Sequence, residues 1–457
     1  MRGLELDLSR WAEQQFRDCD LGDVRRTRRL VKYAVQVAKR PDASTPQQTK
    51  GWGDCKAAYR LFSREETTFE SVARPHWQQT RACQPGTYLV IGDTTEIEFG
   101  IWRNVSGLSP TGDGRGRGFL LHSALMVDAR SEAIIGLAGQ TIHHRQPRSK
   151  KDTKYKIRQG PRESDIWGRV IEEVGVPPPG AQFIHVFDRG ADNFEVYARL
   201  LLARGEWIVR ASQLERIVQF QRQEQPLAEV LTQLEPLGTY QLTWRVAGQR
   251  GARTAKLEVR VGTIGMPAPR MKSRWIRERG FSLITMNVVE VREIDPPADA
   301  ESLHWILLTS LPVRSFAEAW RVIEYYEKRP LIEEFHKALK TGCRVEERYY
   351  QTSERLEALV GLLSVVALRL VQLKRVAHVA PQRPASEVVP PAWLRALEQQ
   401  FNRKLPTVRD FFRALARLGG FLGRKSDGEP GWMTLWRGTQ TMLPMLEVPI
   451  HRSRRCG

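Results

Sequence analysis

The apolar positions of the chain follow the period of a helix near both ends and the period of a strand in the middle. Up to about residue 70, apolar side chains such as Trp11 and Phe16 recur at near-helical spacing, which predicts a helical unit. Residues 356–376 are apolar enough to form a helix packed against a sheet. Thr407 and Asp410 have the spacing of a capping box, which predicts the start of a helix over FFRALARL.

Between these helical parts, apolar runs of strand length begin at Gly86. Residues 87–91, GFLLHSALMVD and EAIIGLAGQTI predict three strands joined by short connections, as in an antiparallel meander. Helical and strand patterns then alternate, with helices at 163–174 and 193–203, a strand that ends at Asp188, and a strand at 207–211. This order predicts an α/β fold with a mixed sheet.

An insertion separates the last of these strands from the helical stretch that begins near residue 320. Its strand-like segments are 238–246, 256–261, 281–290 and 303–308. The connections are rich in Gly, Pro and Arg, as loops are. We therefore expect a β subdomain at about 213–312.

The stretch WRVIEYYEKRPLIEEFHKALK, residues 320–340, carries four functional groups at helical spacing. Tyr326, Arg329, Glu333 and Lys340 fall within roughly 60° around one straight helix. Such a face combines a carboxylate for a metal ion with cations for phosphate oxygens. The alternative is a solvated face in which Arg329 and Glu333 form an ordinary i,i+4 ion pair.

Pro330 complicates this helix. Proline disfavours helical geometry at the preceding Arg329 and clashes with the carbonyl of Tyr326. The sequence therefore predicts either a kink or a helix that restarts with Pro330 in its first turn.

Two aspartates complete a set of three carboxylates. Asp93 and Asp188 each follow an apolar strand run and precede a polar loop, so we expect both at strand ends. Either aspartate alone also suits a turn that ends a strand. Together with Glu333 they form the oxygen ligand set that Mg²⁺ or Mn²⁺ prefers. His122, His143, His144 and His336 are interpreted as core or DNA-facing residues, because such sites favour oxygen ligands.

The charge of the chain indicates a polyanionic partner. Lys and Arg number 71 against 52 Asp and Glu, a formal net charge of +19. Asp23 is a plausible N-cap for a helix whose first turns carry arginines able to reach DNA. A solvent-exposed basic helix is the alternative for these arginines, which are Arg25, Arg26, Arg28 and Arg29.

The remaining composition predicts a cytoplasmic protein with access to chromosomal DNA and no membrane association. Glu5 and Asp7 stand where a signal peptide would need an apolar run. The longest uncharged apolar stretch, 358–368, is too short to cross a bilayer. The cysteines lack zinc spacing and are interpreted as reduced thiols; they are Cys19, Cys55, Cys83, Cys343 and Cys456.

Several motifs in consistent order resemble the DDE transposases of bacterial insertion sequences. These motifs are LGDVRRTRRL, IGDTTEIEF, VFDRGAD, WILLTSLPV, YEKRPLIEEFHKALK, ALARLGGFLGRK and WMTLWRG. The likeness is to the cut-and-paste branch with a Tyr-Arg-Glu-Lys signature, which includes the transposase of a kanamycin-resistance composite transposon. It spans nearly the whole chain.

The resemblance implies a role for each matching position. Asp93, Asp188 and Glu333 would be the metal-binding catalytic triad. Tyr326, Arg329 and Lys340 would hold DNA phosphates near the cleavage point. The remaining DNA-binding positions would be Trp305 stacked on a flipped base, Arg210 near the active site, and Arg25, Arg26 and Arg29 at the transposon end.

The resemblance also implies an architecture. It consists of a helical DNA-end recognition domain at 1–70, an RNase-H-like catalytic domain at 71–375 with the β insertion, and a helical C-terminal domain at 376–457. The catalytic core would be a mixed five-stranded sheet with flanking helices. Pro444 and Pro449 interrupt the last stretch, where the family has a helix that pairs subunits. We nevertheless expect a homodimer on DNA, because two transposon ends are brought together.

The implied chemistry is DNA strand cleavage and transfer. Three carboxylates can hold two Mg²⁺ or Mn²⁺ ions about 4 Å apart. The expected steps on double-stranded DNA are nicking of the end, hairpin formation, hairpin opening and attack on target DNA. The alternatives are another metal-dependent nuclease of the same fold, such as a junction resolvase, and a non-catalytic inhibitor that binds transposon ends.

Overall fold

Five helices precede the first strand in the computed structural model, which describes residues 7–145, 165–245, 252–297, 302–424 and 427–446. The predicted N-cap is confirmed, because the carboxylate of Asp23 accepts a hydrogen bond from the backbone N–H of Arg25 at 2.8 Å. The helices are α1 (Leu8–Phe16), α2 (Val24–Lys39), α3 (Thr45–Gln48), α4 (Trp52–Leu61) and α5 (Phe69–Arg81).

One mixed sheet of twelve strands forms the centre of the described residues. Its first part has the order β4-β3-β1-β5-β6, with antiparallel pairs among β4, β3 and β1 and parallel pairs among β1, β5 and β6. The short strand β2 shares the outer edge of β3 with β4. These strands are β1 (Gly86–Glu98), β2 (Ser109–Thr111), β3 (Gly116–Asp128), β4 (Ile134–His143), β5 (Ala181–Phe187) and β6 (Glu206–Arg210).

The insertion continues the same sheet. Strand β12 pairs antiparallel with β6, and β11, β10, β7 and β8 extend the sheet from there, while β9 also pairs with β10. The sheet is therefore larger than the predicted five strands, because the insertion leaves β6 no free edge. The insertion strands are β7 (Ile217–Phe220), β8 (Gln223–Pro226), β9 (Pro236–Arg245), β10 (Ala252–Pro267), β11 (Leu283–Glu293) and β12 (His304–Thr309).

Two helices and two strands of this insertion were missed by the sequence patterns. β7 and β8 are four residues each, too short for a clear alternation. The helices are also short, and both lie between strands. They are α8 (Leu227–Gln233) and α9 (Arg274–Arg279); the other helices of the α/β core are α6 (Asp165–Val174) and α7 (Phe194–Leu202).

The chain does not form one straight helix over 320–340. Helix α10 (Phe316–Tyr326) ends before Pro330, and α11 (Pro330–Lys337) begins with that proline as its first residue. Arg329 nevertheless has helical dihedral angles, φ −51° and ψ −40°. The connection is a tight turn in which the N–H of Arg329 donates to the carbonyl of Tyr326 at 2.9 Å. The restart at Pro330 is thus confirmed, whereas the expected loss of helical geometry at Arg329 is wrong.

The longest helix, α12 (Ser353–Val379), packs against the sheet and the N-terminal helices as one core. By length and composition alone, its segment Ser353–Val376 could cross a membrane. Most of that segment is buried inside the protein, as in the core helix of a globular domain. Its buried residues include Leu359, Leu363 and Val366.

A separate hydrophobic cluster holds the last described helices together. The capping box at the start of α14 is confirmed, since the backbone N–H of Asp410 donates to the hydroxyl of Thr407 at 3.1 Å. The proline-rich stretch 381–391 contains a short helical turn, Ala385–Glu387, and leads into the next helix. These helices are α13 (Pro391–Gln400), α14 (Val408–Leu418) and α15 (Trp432–Met442). Residues 447–457, with Pro449 and Cys456, lie outside the described residues.

Helices α14 and α15 cross in direct backbone contact at Gly438. A Cβ atom at that position would lie 1.9 Å from the carbonyl oxygen of Leu415. We expect Gly438→Ala to force the two helices apart and to lower the free energy of local unfolding by about 1–3 kcal/mol. Hydrogen exchange of peptides from α14 and α15 measures this change.

Gly431→Ala is the matched control, because a Cβ atom there meets nothing within 4 Å. Equal hydrogen exchange in the two variants would contradict the close crossing.

Candidate active site

The register of two parallel strands sets the positions of two aspartates. β1 and β5 pair from Gly86 opposite Ala181 to Ile91 opposite Val186. Asp93 and Asp188 each follow the last of these pairs by two residues, so they lie level with each other. The two carboxylates therefore meet at the carboxyl end of β5.

The two aspartates differ in local structure. Asp188 directly follows the last residue of β5, Phe187, and its carboxylate accepts a hydrogen bond from the N–H of Gly190 at 2.8 Å. Asp93 lies within β1, which continues to Glu98 because β3 still pairs with it there. The expectation that Asp93 lies at a strand end is therefore wrong.

The guanidinium of Arg329 joins all three predicted carboxylates. Its Nη2 lies 3.2 Å from Oδ2 of Asp93 and 3.2 Å from Oδ2 of Asp188. Its Nη1 donates to Oε1 of Glu333, so the i,i+4 ion pair named above as the alternative is formed. The Arg329 side chain is only 18% exposed and that of Asp93 only 15%, so water screens this contact weakly, whereas the Glu333 side chain is 55% exposed.

The turn at Pro330 explains why Arg329 reaches this place. Since α11 begins at Pro330, Arg329 is its N-cap residue and Glu333 lies in its first turn. An acidic residue in the first turn is stabilised by the positive end of the helix dipole. One side of the turn thus presents a cation and an anion to the two aspartates.

Burial gives Asp93 an unusual acidity. Desolvation raises the pKa of Asp93 to about 6, and neighbouring Asp188 and Glu333 act in the same direction. Arg329 opposes this rise. For Arg329, burial lowers the pKa, but the three carboxylates outweigh it and the net pKa is raised. The cluster is therefore held by mutual compensation of charges in a partly dry site.

The donor chemistry of the cluster suits a hard divalent cation, since all three side chains offer carboxylate oxygens. In the part of the chain that the structure describes, no group of three His, Cys, Asp or Glu is arranged closely enough to hold a metal ion. Here a guanidinium lies among the three acids. A metal ion in this site would have to take over the charge compensation that Arg329 provides.

The other predicted residues of the site, Tyr326, Arg210 and Lys340, have different partners. Tyr326 is the last residue of α10; burial raises its pKa, while Arg210 and Arg329 lower it. Arg210 ends β6 and donates to the carbonyl of His304 at 3.3 Å. Lys340 lies in a π-helical turn, Ala338–Gly342, and pairs with Glu346 at 3.2 Å.

Trp305 is half-buried in β12, opposite Val291 of β11, and packs against the hydrophobic core. This position suits an ordinary strand residue. Trp305 could stack on a base only through the part of its indole ring that remains exposed.

The predicted arginines of α2 differ in exposure and in the partners that they have within the protein. The Arg25 side chain is 85% exposed and contacts only the N-cap Asp23 among its described ion pairs, at 3.1 Å. Arg26 donates to the carbonyl of Leu21 at 2.9 Å and pairs with Glu66 at 2.8 Å. Arg29 is 17% exposed and pairs with Asp54 at 2.8 Å. Arg25 and Arg28, which are both exposed, are therefore more available to DNA than Arg26 and Arg29.

The histidines fit the interpretation as core residues in three of four cases. His122, His143 and His336 are buried. Burial lowers the pKa of His122 to about 3, and its Nδ1 lies 2.8 Å from the hydroxyl of Thr94, next to Asp93. His144 is half-buried and pairs with Glu357 at 2.9 Å.

Sequence patterns missed residues that lie far along the chain from α2 but hold this helix and the loop after it in place. Asp54 accepts hydrogen bonds from Arg29, Lys32 and Gln36 of α2, although it is 18 or more residues away. Arg348 is buried and donates to backbone carbonyls of the loop after α2. No local spacing signals such partners, because the fold alone brings them together.

Two parts of the chain match known protein families. Residues 9–67 match the family described as transposase DNA-binding, and residues 365–454 match the transposase Tn5 dimerisation domain. The two matches flank the sheet that holds the carboxylate cluster, and they support a transposase. More narrowly, they support a transposase of the Tn5 type, with DNA as a partner and a homodimer as its assembly.

The raised pKa of Asp93 predicts how stability depends on pH. The folded protein binds the Asp93 proton more tightly than the unfolded chain, whose pKa is 3.8, so ionisation destabilises the fold as pH rises through about 4 to 6. Asp93→Asn removes this penalty. We expect the variant to gain about 1–3 kcal/mol in free energy of unfolding at pH 8, and about half as much at pH 5.

Urea unfolding at both pH values measures this gain. Asp18→Asn, at a carboxylate that is 59% exposed, is the control and should change stability by less than about 0.5 kcal/mol. A gain that is the same at pH 5 and pH 8 would show that the penalty does not come from ionisation of Asp93.

Proposed function

We propose that this protein is a DDE-type transposase that moves DNA by a cut-and-paste route, with Asp93, Asp188 and Glu333 as its catalytic residues. One observation carries the proposal. Carboxylates from three distant parts of the chain share the guanidinium of Arg329 in a partly buried site. Acids gathered in this way are more costly than a stable fold requires, which is typical of a functional site.

The fold supports an RNase-H-like core for this site. The strand order β4-β3-β1-β5-β6, antiparallel on one side of β1 and parallel on the other, is the five-stranded arrangement that the proposal requires. We propose that the insertion of about 213–312 interrupts this core after β6. The proposed flanking domains, at 1–70 and 376–457, overlap the two family matches.

Asp93, Asp188 and Glu333 would hold two Mg²⁺ or Mn²⁺ ions. Such ions activate an attacking oxygen and stabilise a leaving oxygen in phosphoryl transfer. Release of Arg329 from the carboxylates would free its guanidinium for a DNA phosphate. The carboxylates and a DNA phosphate are all anions. The guanidinium of Arg329 can therefore bind the carboxylates before DNA binds and a phosphate afterwards.

The proposed reaction begins with hydrolysis at the transposon end. A water oxygen bonds to phosphorus, the bond to the 3′-oxygen breaks, and that oxygen takes up a proton. The freed 3′-OH then bonds to a phosphorus of the opposite strand, and the 3′-oxygen of the flanking DNA leaves as a hydroxyl, which gives a hairpin. Water bonds to the phosphorus of the hairpin and releases the 3′-OH of the element again. This 3′-OH finally bonds to a phosphorus of target DNA, and the 3′-oxygen of the target strand leaves. Tyr326, Arg329, Lys340 and Arg210 would position phosphates, and Trp305 would stack on a flipped base.

Strand cleavage tests the assignment of Glu333. We expect labelled DNA that carries the ends of the protein's own element to be nicked and then converted to a hairpin with Mg²⁺ or Mn²⁺. Glu333→Gln keeps the size of the side chain but removes its charge, so cleavage should fall at least about 100-fold. Gel analysis of nicked and hairpin products measures this loss.

Glu324→Gln, the same change at an exposed position of α10, is the control and should cleave normally. Cleavage that persists in Glu333→Gln would mean that the catalytic site lies elsewhere. Binding without cleavage by the native protein would favour the non-catalytic inhibitor. Cleavage of branched junctions in preference to element ends would favour a nuclease of the resolvase kind.

The arginines of α2 should separate DNA affinity from stability. Arg25→Ala removes an exposed cation, so we expect weaker binding to the element ends with little change in melting temperature. Arg29→Ala removes a half-buried partner of Asp54, so we expect a loss of about 1–3 kcal/mol in stability. Fluorescence anisotropy and thermal unfolding measure the two effects. Unchanged affinity of Arg25→Ala would exclude Arg25 from the DNA contact.

A further inference from the structure

A strongly basic surface lies in the insertion. It includes none of the DNA-binding residues that the sequence predicts. Residues 270–279 contain five cations and one acid, Glu278, which pairs with Arg274 at 2.6 Å. All five cations are exposed. We call this surface the insertion patch; it consists of Arg270, Lys272, Arg274, Arg277 and Arg279.

The patch is built on a short ordered helix. Ser273 caps the first turn of α9, because its hydroxyl accepts from the N–H of Ile276 at 3.3 Å. Gly280 ends the helix with φ +69°, in the left-handed region that favours glycine. Ile276 is buried, so the helix turns its apolar side to the core and its cations to the solvent.

Aromatic contacts hold this helix in place. The Trp275 ring lies between two guanidinium groups, with Arg199 at 4.3 Å and Arg279 at 4.2 Å from its centroid. Trp275 also lies parallel to Phe281, with an angle of 3° between the rings. Packing thus holds the helix and Arg279 in place, whereas a merely solvated charge run needs no such support.

The patch lies at the same end of the sheet as the carboxylate cluster. The hydroxyl of Ser273 donates to Glu195 at 2.7 Å, and Glu195 lies in the first turn of α7. Only a short 3-10 turn separates α7 from Asp188 and the carboxyl end of β5. DNA held at the cluster would therefore pass close to the patch.

The charge of the patch suits an anionic partner. Five like charges within one short segment repel each other over the Debye length of about 8 Å at physiological salt. Only one of them has an acidic partner inside the segment. A phosphate backbone offers regularly spaced negative charges that relieve this repulsion without any base-specific contact.

We infer that the insertion patch binds the phosphate backbone of duplex DNA independently of sequence, as a second DNA-binding surface besides residues 9–67. This inference rests on the proposed function, because it assigns the patch to the DNA on which the carboxylate cluster would act. Its recognition chemistry is charge alone, so it suits flanking or target DNA as well as the element's own ends.

The test removes three charges and leaves the aromatic stack intact. The variant combines Arg270→Gln, Lys272→Gln and Arg277→Gln. The probe is a 30-base-pair duplex of random sequence without metal, and fluorescence anisotropy gives its Kd from 50 to 200 mM NaCl. Since each lost phosphate contact changes the slope of log K against log salt by about 0.9, we expect the slope to fall by about 2–3.

A matched variant controls for net charge. Arg130→Gln, Arg314→Gln and Arg395→Gln together also remove three exposed cations, at positions outside the patch. We expect this control to change the slope by less than about 1. Circular dichroism and the melting temperature establish that both triple variants are folded. Equal loss of slope in the two folded variants, or no loss in the patch variant, would overturn the inference.

Two further outcomes identify the partner and separate this inference from the proposed function. A larger loss of slope on a double-stranded RNA of the same length would overturn the assignment to DNA. Random duplex binding without metal needs neither end recognition nor cleavage. The slope change can therefore be observed even when Glu333→Gln cleaves normally, and then only the catalytic assignment fails.

Discussion

The parallel pairing of β1 with β5 is the constraint on which the candidate site depends. It sets Asp93 and Asp188 level with each other at one end of the sheet. Two neighbouring carboxylates in a partly buried place need a cation, and the guanidinium of Arg329 supplies it. The turn before Pro330 delivers that guanidinium together with Glu333. The sheet thus places two negative charges side by side, and the turn before Pro330 supplies the positive charge that compensates them.

This balance limits the cost of an unfavourable group in the fold. Burial raises the pKa of Asp93 to about 6, so its ionised form opposes folding near neutral pH. The guanidinium of Arg329 offsets part of this cost, because it opposes the rise in the pKa of Asp93. The same guanidinium contacts Asp188 and Glu333, so one cation serves all three carboxylates.

The two basic helices, α2 and α9, hold their cations in different ways. In α2 the fold occupies Arg26 and Arg29 with acidic partners and leaves Arg25 exposed. In α9 the fold instead fixes the backbone and an aromatic stack and leaves the cations toward solvent. The first arrangement is suited to a contact of defined geometry, and the second to contact with a phosphate backbone by charge.

The sequence by itself determined the features that depend on near neighbours in the chain. The N-cap at Asp23, the capping box at Thr407 and the i,i+4 pair of Arg329 with Glu333 follow from local spacing, because a few residues make all the contacts. Hydrophobic period likewise predicted the α/β order and the buried helix α12.

Only the tertiary structure decided the features that depend on distant partners. β1 runs through Asp93 because β3 pairs with it, and the sheet exceeds five strands because the insertion pairs with β6. Arg29 is withdrawn from solvent by Asp54, 25 residues away. Such contacts arise from strand pairing and packing across the fold, for which the spacing of residues along a single chain contains no signal.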